Sequence, residues 1–176
     1  TGVQTCALPI SLLYLVIKNN ENWLKIMLVV GAVALSLTVV DGVNLGFIKP
    51  LIARPRPLEA HVLQRLVVAT NHYRVEGYSF FSSHAANAFV VAVFFSLLVR
   101  DRIFSAFMTA WSITLSATRL YLGVHYPSDI LAGMLFGSVV AALVYYLYSR
   151  IYARCSDKLH YISTKYTQTG YSFADI

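Results

Sequence analysis

Four stretches of this chain each supply about twenty largely apolar residues, the length an α-helix needs to cross the hydrocarbon core of a bilayer. They cover residues 26–48, 78–99, 103–124 and 130–149, and ionisable groups within them are rare: Asp41 in the first, His84 in the second, Arg119 near the end of the third. Their apolarity runs around every face of the helix rather than along one stripe, as expected of helices surrounded by lipid. A shorter apolar piece over 10–17, closed by the polar run Lys18 to Asn22, reads as the tail of a truncated helix. The expected fold is therefore all-α, a polytopic transmembrane helix bundle of four full spans plus one truncated helix.

Composition agrees: 57% of residues are hydrophobic and 12% charged, and the mean hydropathy is +0.62, far above an ordinary soluble domain. No Pro/Gly/Ser-rich linker or internal repeat divides the chain, so one domain is expected over 11–155, followed by a polar cytoplasmic tail over 156–176. The first ten residues, TGVQTCALPI, back-translate to a stretch resembling a common sequencing-library adapter. Residues 1–10 are accordingly expected to be an artefact, Cys6 with them, and no signal peptide is judged from this end.

The net charge of +6 is scattered between apolar spans, without the basic stripe and interleaved aromatics of a nucleic-acid site, so no nucleic-acid partner is expected. Cys6 and Cys155 make neither a disulfide framework nor a zinc cluster. Trp23, Tyr145, Tyr146, Tyr148 and Tyr152 suit either an interfacial aromatic belt or ordinary packing. Gly133 and Gly137 form a small-xxx-small pair that lets another helix approach closely.

Alternating spans put Lys18, Lys25, Arg100, Arg102, Arg150, Arg154, Lys158 and Lys165 on one face, and Lys49, Arg54, Arg56, Arg65, Arg74 and Arg119 on the other. With Lys49, Arg56 and Arg119 set aside as candidate ligand-binding residues, the positive-inside rule assigns the first face to the cytoplasm. Three polar blocks then meet on the outer face: KPLIARPRP from Lys49, FFSSHAAN from Phe80, and TRLYLGVHYPSD from Thr118.

Together these blocks suit a phosphate. Lys49, Arg56 and Arg119 supply positive charge, Arg gripping phosphate through paired hydrogen bonds. Ser82 and Ser83 open a helix, whose N–H groups and hydroxyls favour anions. Pro127 fits a first helical turn, which leaves His125 in the preceding turn. Asp129, four residues on, is expected to orient one ring nitrogen while the other attacks phosphorus. His84 is placed to protonate the departing oxygen. The cations neutralise developing charge, so no metal or other cofactor is called for.

These residues resemble the type 2 phosphatidic acid phosphatase superfamily, marked by Lys-x6-Arg-Pro, then Pro-Ser-Gly-His, then Ser-Arg-x5-His-x3-Asp. Lys49, Arg56 and Pro57 match the first motif, Ser82 and His84 the second, and Arg119, His125 and Asp129 the third. The resemblance implies a six-helix bundle, here lacking its amino-terminal part, with phosphate bound by Lys49, Arg56, Arg119, Ser82 and the backbone at Ser83. It implies His125 as nucleophile, Asp129 as its partner and His84 as the acid. Phe81, Ser83 and Thr118 depart from the motifs, at positions where the family has Pro, Gly and Ser; Ser83 bears on how closely backbone wraps the anion.

The implied activity is hydrolysis of a lipid phosphate or diphosphate through a phosphohistidine, at the outer face of a bacterial cytoplasmic membrane. Undecaprenyl diphosphate, phosphatidylglycerol phosphate, phosphatidic acid and lipid A phosphates are the family-typical substrates; an inactive relative that binds or transports phospholipid is the alternative. Vanadium haloperoxidases carry a similar motif set but are soluble. His61, His72 and His160 read as solvated residues, Arg54, Arg65 and Arg74 as solvated or headgroup-facing, with Arg54 close enough to Arg56 to touch a second phosphate, and Asp41 as one end of a buried ion pair or hydrogen bond.

Overall fold

The structure, a computed structural model of the 176-residue chain, describes residues 12, 14, 18, 23–57 and 77–168, with 156–168 described by backbone alone. Expectations for residues 1–10 and for His61, Arg65, His72, Arg74 and the side chain of His160 lie outside the described residues. Among those described there is no strand. The helices are α1 (Trp23–Val43), α2 (Lys49–Ile52), α3 (Ser83–Val99), α4 (Arg102–Tyr121) and α5 (Pro127–Gln168), and a π-helical turn, Asn44–Ile48, joins α1 to α2.

Local chemistry sets these boundaries. Ser82, in extended conformation, caps α3 by accepting the Ala85 N–H at 3.4 Å. That cap makes α3 a 17-residue helix starting at Ser83, shorter than the span expected over 78–99. Asp101 caps α4 through the Phe104 N–H at 2.7 Å. Arg100, with φ of 58°, ends α3 in a left-handed turn. α5 begins at Pro127 and its backbone runs on to Gln168, past the domain boundary expected at 155.

Among the described residues two helices are long and apolar enough to cross a membrane, Trp23–Ile52 and Pro127–Cys155, at 30 and 29 residues. On α5, Leu131, Leu135, Val139, Leu143 and Leu147 stand exposed at four-residue intervals, an apolar stripe facing away from the bundle that suits lipid and not water. α3 is the central helix: it packs most extensively on α5, then on α4, and also touches α1. One core cluster, including Val29, Phe94, Met108 and Tyr148, fills the far end. Tyr148 is buried there, edge-on to Phe94 and stacked on Tyr152, so its role is packing. The second cluster, Val40, Phe81, Ala86, Val90 and Val140, lies under the site.

The two glycines of α5 explain how closely α3 approaches. A Cβ on Gly133 would stand 2.6 Å from the Ser82 carbonyl oxygen, and one on Gly137 would collide with the Ala86 carbonyl. Backbone, not a flexible side chain, occupies both positions. A methyl added to Gly31 would meet nothing within 4 Å. Gly137→Val is therefore expected to cost about 1–3 kcal/mol by overpacking, read as a lowered melting temperature in detergent, whereas Gly31→Ala keeps or raises it. Equal melting of the two variants would show that the helices do not meet at this seam.

Candidate active site

The first block turns at Ala53, whose left-handed backbone (φ of 47°) ends α2 and sends residues 54–57 back across the bundle end. This segment pairs with the approach to α3: the Ser79 N–H donates to the Arg54 carbonyl at 2.8 Å, and Arg56 Nε to the Gly77 carbonyl at 2.9 Å. Arg56, 4% exposed, also donates Nη1 to the Val124 carbonyl at 3.1 Å. Its guanidinium thus links the first block to the turn that carries His125.

His125 is buried in that turn, with Nδ1 2.8 Å from the Ser79 carbonyl oxygen. A carbonyl only accepts, so Nδ1 carries the proton and Nε2 keeps its lone pair. Burial, then the neighbouring Arg56 charge and more weakly Lys49, outweigh the opposing pull of Ser79 and Asp129. The imidazole pKa is thereby lowered from 6.5 to about 4. The ring is neutral at pH 7, the form a nucleophile needs.

Asp129 lies beside that ring, as the sequence spacing suggested, at ion-pair distance and without a direct hydrogen bond. Its Oδ2 stands 3.8 Å from Nδ1 and accepts the Tyr126 N–H at 3.0 Å and the Ser79 hydroxyl. Tyr126 immediately precedes Pro127, and a carboxylate at the third helical position bends back naturally to an N–H at the helix start. Oδ1 takes Arg54 Nη1 at 2.7 Å. Arg54, read from sequence as solvated or headgroup-facing, is thus the counter-ion of a fully buried carboxylate, and it also bonds Ser128 Oγ and lies 3.8 Å over the Tyr126 ring centroid.

The remaining sequence-predicted residues arrange themselves about the start of α3. Ser82 is buried, its N–H bonded to the Asp129 carbonyl at 3.1 Å, and the Ser83 hydroxyl accepts from Asn44 Nδ2 at 2.8 Å. His84 lines a cavity of about 380 Å³ with Ser83 and Arg119. His84 lies in the electrostatic reach of Arg119, Lys49 and Arg56, and His125 in that of Arg56 and Lys49, so the two imidazoles share a cationic environment. Among the described residues no group of three His, Cys, Asp or Glu side chains suits a metal.

Sequence reasoning missed Ser79, Arg54 and Asn44 as parts of this network. Ser79 and Asn44 carried no motif signal. Arg54 had one, since a single proline in extended chain separates it from Arg56 and alternate residues there point to similar sides.

These features define a class: a membrane protein, all-helical among the described residues, with a cationic end that carries two histidines. The chain belongs to the PAP2 superfamily, whose sequence profile matches residues 23–153. It is 39% identical over 145 residues to a lipid A 4′-phosphatase of Bacteroides thetaiotaomicron, covering 82% of this chain and 64% of that protein. A lipid A 4′-phosphatase of Porphyromonas gingivalis is 35% identical over 128 residues, covering 70% and 53%. Phosphatidylglycerophosphatase B of Haemophilus influenzae is 25% identical over 180 residues, covering 80% and 73%. The chain therefore spans less than two thirds of the length of either lipid A phosphatase.

The His125 environment has a direct consequence. Folding favours the neutral ring, so this group adds stability above its ordinary value near 6.5, and that contribution is lost as the pH falls toward 4. In a proton NMR titration the His125 ring signals should hold their neutral positions down through pH 5. A midpoint near 6.5 would mean a ring open to water and not bonded to Ser79.

Proposed function

We propose that this chain is the catalytic core of a metal-independent lipid phosphatase in which His125 Nε2 takes up the phosphoryl group. The observation that supports this best is the His125 environment: a buried neutral ring whose Nδ1 proton is held by a carbonyl, within reach of Arg56 and Lys49. In the first step Nε2 attacks phosphorus as the bond to the lipid oxygen breaks, and His84 protonates that oxygen. In the second step water attacks the phosphohistidine with His84 now as base, releasing inorganic phosphate and restoring His125. Lys49, Arg56 and Arg119, with Ser82 and the backbone at Ser83, hold the three equatorial oxygens as charge builds on them. Asp129 holds His125 at one remove, anchoring Ser79, whose carbonyl accepts the hydrogen bond from Nδ1–H.

The substrate class we favour is a phosphate on lipid A, the group named in the two relatives most similar to this chain described above, with phosphatidylglycerol phosphate second. Four membrane spans, an outward-facing site on a bacterial cytoplasmic membrane, a core over 11–155 and a cytoplasmic tail over 156–176 complete the proposal. Its support is the common end at which Lys49, Ser82 and His125 emerge and the distribution of Lys and Arg.

Purified protein in detergent, given lipid phosphates with chelator present, should release inorganic phosphate. His125→Ala should reduce release by about 10³-fold or more in protein that still folds, as for loss of a nucleophile. Release that stops with chelator would point to a metal enzyme, and lipid binding without turnover to an inactive relative.

A further inference from the structure

The cavity beside His84 is layered, and one layer lies past the residues assigned to hold the phosphate. At its outer end stand His84 and Arg119; on α1 and α3 follow Asp41 and Asn87; Leu37, Val91 and Trp111 line the part beyond. The three helices run in alternating directions, so the layers line up: Asn87 is one turn past His84 on α3, about 4.5 Å along the axis, and Val91 is a turn further. Asn87 Nδ2 donates to both oxygens of Asp41, at 3.1 Å each. That contact braces the carboxylate from the α3 side, while Asn87 Oδ1 is itself closed off from the cavity. Each Asp41 oxygen retains lone pairs. The layer thus offers the cavity the acceptor oxygens of Asp41, a single turn from the phosphate position.

We infer that Asp41, held in place by Asn87, is a specificity-determining acceptor for hydroxyl or amide N–H donors on the lipid that carries the phosphate. The inference rests on the phosphatase reading for the position of the phosphate. Among carriers, an acylated amino sugar has such donors beside its phosphate, followed by acyl chains suited to Leu37, Val91 and Trp111. Phosphatidic acid offers only ester oxygens at that depth and polyprenyl diphosphates only hydrocarbon, so each leaves a carboxylate facing a group that cannot donate. Such discrimination works by rejection as much as by attraction.

Binding tests this separately from turnover, and Trp111 in the cavity wall supplies a fluorescence signal. An acylated glucosamine 4-phosphate should bind the purified chain about tenfold or more tightly than phosphatidic acid, the range for one hydrogen bond to a charged group. Methylating the sugar's hydroxyls should weaken binding toward the phosphatidic acid value. Asp41→Asn, which keeps the shape of the pair, should reduce the ratio of the two affinities by about tenfold. A purely structural pair would change melting and leave that ratio alone. Equal affinity of the wild-type chain for the two lipids, or a ratio untouched by Asp41→Asn, overturns the inference. The wild-type comparison decides even where the variant does not fold, and a binding preference without phosphate release would count against the phosphatase reading only.

Discussion

The carboxylate of Asp129 has no exposure to solvent and lies where three distant stretches of chain cross. Burying an ionised group costs several kcal/mol unless charge and hydrogen bonds replace the lost water. Here the replacement comes from every side: Arg54 from the first block, Ser79 from the approach to α3, and the Tyr126 N–H from the turn before α5. The Asp129 backbone carbonyl adds the Ser82 N–H. None of these partners is a neighbour of the others in sequence except Ser79 and Ser82, so the charge is satisfied only when the whole bundle end is assembled.

That constraint carries over to chemistry. Ser79 serves both ends of a relay, its hydroxyl donating to Asp129 and its carbonyl accepting from His125. The imidazole is thereby fixed in one tautomer while Arg56 and burial keep it neutral. The glycines of α5 matter for the same reason, since Gly133 seats against the Ser82 carbonyl and lets the start of α3 lie beside the start of α5. Packing at that seam and geometry at the site are one problem.

The helical architecture was legible in the sequence because long apolar runs leave little choice of secondary structure. Eight site positions were legible because their spacing is tied to helix ends: Lys49 and Arg56 around a turn, Ser82 to His84 at a cap, Arg119 to Asp129 across another. The apolar span drawn over 78–99 ran too far because Tyr78 to Phe81 is as apolar as a helix, whereas the helix itself opens at Ser82 and Ser83 as their capping chemistry indicated. The further partners of Asp129 were not legible because spacing of four fits both His125, 3.8 Å away, and the helix-start N–H that the same oxygen accepts at 3.0 Å. Arg54 and Ser79 were hidden because what defines them is contact across the fold, with Asp129 at sequence separations of 75 and 50. Asp41 makes a hydrogen bond as expected, half-buried rather than buried, with Asn87 as the partner that spacing did not name.

The tautomer of His125 leads to the most direct measurement. If Ser79 holds the Nδ1 proton throughout, phosphorus is reached from the other nitrogen alone. Protein reacting with a lipid phosphate and quenched in alkaline denaturant should carry its phosphoryl group on Nε2 of His125, as read by NMR of the isolated peptide. A phosphoryl group on Nδ1, or on a residue other than His125, would contradict the relay from Asp129 through Ser79.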